Sequence, residues 1–161
     1  MSKGNLIRYG EKSDLMNISI IHGDETFKFN LNEEVVVNEN RINKEIKEQP
    51  SAYAFLGMLH KKLIRKAKDK ERTMKKTYAI MFIKFKGDMD ETTNRPMAND
   101  LAKEKAIASS RYQKTVKEYI RVQHESDILE VCVLSFEQRS ALIQTLSANI
   151  RKTKKKKKKQ N

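Results

Sequence analysis

Lys61, Arg65, Lys68, Arg72, Lys75, Lys76 and Lys86 recur at steps that gather them on one side of a helix. Side chains of this type in a row do one kind of chemistry: they neutralise a line of phosphates. At about 100° per residue they fall within an arc of roughly 100°. The two acids of the stretch, Asp69 and Glu71, lie outside that arc on either side. Like charges at i, i+3 and i+4 repel, at a few tenths of a kcal/mol per pair and on the order of one to two in sum. A polyanion laid along the stripe removes that penalty and sheds its own condensed counterions. The competing explanation is a merely solvated helix face, although such faces usually mix signs.

The charge of the whole chain is concentrated in the same way. Of 161 residues, 34 are Lys or Arg and 21 are Asp or Glu, a formal net charge of +13. Residues 61–86 carry eleven Lys and Arg against two acids, residues 151–159 carry eight, and the remainder is net acidic at −4. The second run, "RKTKKKKKKQN", is of low complexity and predicts an unfolded tail over 153–161. Its Lys154, Lys155, Lys156, Lys157, Lys158 and Lys159 suit a flexible arm that speeds encounter with nucleic acid. A solubility feature and a membrane-surface anchor are the alternatives, and no lipidation motif accompanies the run.

Tyr53, Phe55, Tyr78, Phe82 and Phe85 share the long basic segment. Aromatic platforms beside a positive groove hold single strands without regard to sequence, whereas core packing is the ordinary use of each ring taken alone. No zinc-finger spacing, basic zipper or RNP signature is present, so duplex sequence specificity is not expected.

Catalytic constellations are missing from the sequence. There is no Gly-rich phosphate loop, no G-x-S-x-G and no H-E-x-x-H, and His22, His60 and His124 stand apart. "GDMDE" at 87–91 brings Asp88, Asp90 and Glu91 together, but the residues after it lack the Gly and Glu of an EF-hand loop, which leaves an inter-helix turn. The single Cys132 cannot form an internal disulfide and reads as a buried small hydrophobe. No enzyme, metal or cofactor is expected. No apolar run is long enough to span a bilayer, and the polar start has no signal-peptide core, so a soluble cytoplasmic protein is expected.

The elements that must carry the stripe follow from the periodicity. Ile18 and Ile20, then Phe27, Phe29 and Leu31, alternate about Gly23 and Asp24, predicting a β-hairpin with a third strand at 35–37. "NENRINKEIKEQ" predicts a short helix closed by Pro50, with Ser51 capping the next. That next helix runs from about 52 to 86 on the apolar face of Leu56, Leu59, Leu63, Ala67, Met74, Met81 and Phe85, with Lys70 and Thr77 set into the same face. "KGDMDETTNRPMAND" is turn chemistry, and a short helix comes after it. A second long helix reaches about Lys152 on Val116, Ile120, Ile128, Val131, Leu134, Leu142, Leu146 and Ile150. The fold class is therefore mainly α: a long antiparallel helical hairpin with a small N-terminal β-hairpin or three-stranded unit. Domains are expected at 1–38 (β unit), 39–152 (helical) and 153–161 (tail). Polar residues inside the seams predict assembly with copies of itself.

From "EQPSAYAFLGMLHKKL" through the basic helix and acidic turn to "TNRPMANDLAKEKAIASSRYQKTVKEYIRVQHESDILEVCVLSFEQRSALIQTLSANIRK", residues 42–152 resemble the phage recombination mediators of the UvsY type. Arg139, followed by Leu142 and Leu146, matches the Arg and apolar repeat near the end of that family's last helix. The resemblance implies a multi-subunit or ring-forming protein that binds single-stranded DNA. It also implies a partner RecA-like recombinase, which the protein helps to displace a single-stranded-DNA-binding protein without hydrolysing ATP. It places the family's basic residues around Lys75 and Lys76, extending to Lys84 and Lys86. "YAIMFIKF" is more apolar than the family pattern there, and the N-terminal hairpin and lysine tail depart from it. Two other readings compete: a phage or bacterial helical scaffold whose basic face meets an acidic protein, and an RNA-binding accessory factor.

Overall fold

The computed structural model describes residues 16–22, 25–90 and 92–160, and their side chains except those of 21, 22, 25 and 154–160. The expected turn residues Gly23 and Asp24 lie outside them. Strands β1 (Asn17–His22) and β2 (Glu25–Asn30) pair antiparallel, Ile18 opposite Phe29 and Ile20 opposite Phe27. Alternation thus puts these four on one face; Ile18 and Ile20 are buried and Phe27 meets Phe55 edge-on at 5.4 Å.

The third strand expected at 35–37 does not form. Asn30 ends β2 and caps helix α1 (Leu31–Val35), its side-chain oxygen accepting from the Asn32 and Glu33 amides, with Glu33 and Glu34 in the first turn. Val36, which ends α1 in extended backbone, is 61% exposed and does not join the sheet. Asn30→Ala is expected to cost about 1 kcal/mol in urea unfolding.

Helix α2 (Ile42–Gly87) is continuous through Pro50, where two helices were expected. Proline removes one backbone bond at a cost of about 3 kcal/mol, but its neighbours are fastened from outside the helix. The buried Gln49 donates to the Phe136 carbonyl at 2.6 Å, and Arg139 donates to both Gln49 and Glu45. Tertiary contacts thus override the local break.

The reversal after α2 is built on Asp90. Its carboxylate accepts from the Thr92 and Thr93 amides at 2.8 and 3.2 Å, bonds that hold it below the ordinary aspartate value. Asn94 takes the left-handed conformation at φ 51°, one that asparagine tolerates. Of the three acids weighed as a metal site, Asp90 serves this turn and Glu91 lies outside the described residues. Helix α3 (Asn99–Ala108) buries Ala102 and Ala106, and α4 (Ser110–Gln160) completes the chain. α4 runs eight residues beyond the expected end at Lys152, and the tail expected to be unfolded is helical through Gln160. Lysine is a good helix former, and cations suit a helix C-terminus.

The chain forms two compact units, Met1–Leu56 with Val131–Asn161 and Gly57–Glu130, a division that falls within α2 and α4. In the first, Gln49 and Glu45 of α2 meet Phe136 and Arg139 of α4. In the second, Lys70 meets Glu118 and Tyr78 meets Tyr112. Within each unit the partner numbers fall as α2 rises, so the two helices run antiparallel as expected. The α2 face is the expected one, with Leu56, Leu59, Leu63, Ala67, Met81 and Thr77 buried.

The α4 face is not the expected one. Val122, Leu129, Phe136 and Ile143, seven residues apart, are buried with Cys132, while Ile120, Val131, Leu134 and Leu142 are 47–58% exposed. α4 carries apolar residues on two sides, and the side matching α2 is inside. Burial pushes the Cys132 thiol up to about 11.

Lys70 sits in the seam of the second unit and donates to Glu118 at 2.6 Å, holding that carboxyl below its ordinary 4.5. A depressed carboxylate contributes stability that is present above its unfolded pKa and lost as pH falls through the folded one. The stability advantage over Lys70→Met is therefore expected to shrink as urea unfolding is repeated from about pH 6 down to about pH 3.

Candidate nucleic-acid interface

The stripe lies in the second unit, on the side of α2 opposite Leu63 and Met81. Lys61, Arg65, Lys68, Arg72, Lys75, Lys76, Lys84 and Lys86 are all exposed. A cationic row of this kind stays in water because the apolar face of the same helix supplies the burial.

Asp69 and Glu71 flank the stripe but are not separate from it. Arg72 reaches Asp69 at 3.4 Å and Lys75 donates to Glu71 at 2.5 Å. The ammonium lowers the Glu71 pKa, and the carboxylate raises that of Lys75. Exposed ion pairs of this kind hold weakly, so a phosphate competes with them on equal terms. Lys61, Arg65, Lys68, Lys76 and Lys86 have no carboxylate of the described residues within 4.0 Å.

Between Lys76 and Lys86 the arc is apolar: Ala79 is exposed and Ile83 is 70% exposed. Lys84 and Lys86 hold their ammonium groups 6.0 Å from the Phe85 and Phe82 ring centroids. Tyr78, Phe82 and Phe85 thus share the stripe's unit, half-buried, whereas Tyr53 and Phe55 belong to the other unit.

The spacing within α2 does not show which side chains of the neighbouring α4 border the stripe. A cleft of about 190 Å³ opens along the stripe's edge, where Lys68 and Glu71 of α2 face Tyr119 and Gln123 of α4. Only the antiparallel register brings residues about fifty positions apart together. The lysine run belongs to the first unit; its backbone is helical, and the side chains of Lys154, Lys155, Lys156, Lys157, Lys158 and Lys159 lie outside the described ones.

Arg139, the residue that carried part of the resemblance, is structural: 10% exposed, it is held by Glu45 and Gln49 with its guanidinium 5.9 Å from the Phe136 ring centroid. Among the described residues no group of three His, Cys, Asp or Glu is placed to hold a metal ion, and no helix is long and apolar enough to cross a membrane. No protein-family model matches the chain, and neither a curated protein nor a solved structure matches it.

Proposed function

We propose that the protein binds single-stranded DNA along the α2 stripe and acts, without catalysis, as a recombination mediator. In that role it helps a RecA-like recombinase take the place of a single-stranded-DNA-binding protein. The observation that carries the binding half is the exposure of seven cations in one arc of one helix, with no acid inside it. Such a surface has charge to offer a polyanion and no apparatus for reading duplex sequence. The mediator half rests on the resemblance of residues 42–152 to the UvsY type, and the bacterial host cytoplasm is the compartment it implies.

Assembly into a homo-oligomer, a ring in the family's manner, is part of the proposal. Its support is the exposure of Val131, Leu134 and Leu142 on the unpacked side of α4 in the first unit. Linked copies raise the effective concentration of weak, salt-screened phosphate contacts. The same apolar residues favour the second reading, a helical scaffold protein, and the two separate in one experiment. Labelled single-stranded DNA, single-stranded RNA and duplex DNA are titrated at one ionic strength. The mediator reading predicts the tightest binding to single-stranded DNA. A preference for RNA supports the accessory-factor reading, and equal weak binding to all three supports the scaffold.

A further inference from the structure

The nine positions between Lys76 and Lys86, which are about 15 Å apart along the helix, interrupt a surface that is otherwise suited to phosphate. An apolar stretch there weakens a pure phosphate grip and leaves Ile83 largely in water. The side chains that border the interruption give it a use. Tyr78 and Phe82, one turn apart, hold their rings nearly parallel, 13° between planes and 6.3 Å between centroids. Both are half-buried, so neither is consumed by the core. From α4 the Tyr112 ring, 5.7 Å away and tilted by 59°, backs Tyr78 and fixes its place. Lys86 stands over Phe82 at the far end, and Lys75 and Lys76 stand at the near end.

Cations, then aromatic and apolar side chains, then cations again is the order in which a nucleic-acid strand presents its own chemistry to a surface. Phosphates seek the charges, and unpaired bases carry flat apolar faces that need covering. We infer that Tyr78 and Phe82 form a stacking platform for unpaired bases, with Lys75, Lys76 and Lys86 holding the phosphates on either side. The inference rests on the phosphate-grip reading of the stripe and adds to it the reason for choosing single strands. A duplex offers the same phosphates but keeps its base faces stacked inside, so the platform has nothing to take from it.

The test compares two labelled strands of equal length and charge, oligothymidine and the same backbone without bases, binding to the full chain and to its Tyr78→Leu, Phe82→Leu variant. Leucine keeps an apolar side chain at both positions while removing the ring. The wild-type chain is expected to prefer oligothymidine by at least about fivefold. The variant is expected to lose that preference while its affinity for the abasic strand stays unchanged. Where the double variant loses its helical signal, Phe82→Leu alone is measured and is expected to reduce the preference. Equal wild-type binding to the two strands, or a folded variant that keeps the full preference, overturns the platform and leaves the phosphate grip standing. Failure of the wild-type chain to bind either strand overturns both together.

Discussion

Exchanging Arg65, Lys68 and Lys76 together for glutamate weakens binding to a single strand by about a hundredfold at physiological salt. Each phosphate neutralised on a single strand contributes about 0.7 to the slope of log affinity against log salt. Leaving three phosphates without a cation near 0.15 M thus costs about 50-fold, and the introduced carboxylates add repulsion. The three are chosen because no described carboxylate pairs with them, so no ion pair of the fold is broken. All are exposed, and the helix itself is relieved of like-charge crowding. Fluorescence anisotropy with a labelled oligothymidine reads the loss, and helical content by circular dichroism verifies the fold. Affinity within about twofold of the wild-type chain would mean that the stripe is only a solvated face.

Arg139→Ala lowers the stability of the chain by about 3 to 5 kcal/mol in urea unfolding. Such a loss is a large part of the roughly 5–15 kcal/mol typical of a domain. The size reflects the groups left behind. The Glu45 carboxylate, 15% exposed, loses its cation, and Gln49 loses its donor beside a proline that already deprives α2 of one backbone bond. Replacing Arg139 and Glu45 together by methionine is expected to recover most of the loss, because removing both charges leaves none buried alone. A loss below about 1 kcal/mol for Arg139→Ala would place the pair among the surface salt bridges instead.

The parts of the fold legible in the sequence were those where one physical signal stood alone. The α2 face was readable because Leu56, Leu59, Leu63 and Ala67 point one way and the lysines the other. The hairpin was readable because Ile18 and Ile20 answer Phe27 and Phe29 at period two. Where two signals competed, the sequence misled. α4 has apolar residues on both sides, and only the side that meets α2 decides between Val131 and Cys132. Pro50 signals a helix end, yet Gln49 and Glu45 are tied to Arg139 some ninety residues later, a contact invisible to any local window. Asn30 is equally suited to a turn and to a cap, and the cap consumed the third strand. At the site, the exposed cations were legible from spacing, but the pairing of Arg72 and Lys75 with flanking acids was not. Side chains reach across the wheel positions that separate their α-carbons.

On this reading the α2 stripe, rather than the lysine run at the end of α4, holds the strand. The most direct measurement is a salt series of oligothymidine binding on the full chain and on a chain with all six lysines from 154 to 159 replaced by glutamine. About five to seven stripe contacts predict a slope of log affinity against log salt of about −3.5 to −5 for the glutamine chain, with most of the binding at physiological salt retained. A slope near zero, with binding abolished by the glutamine replacements, would contradict the claim and assign the phosphate contacts to the lysine run.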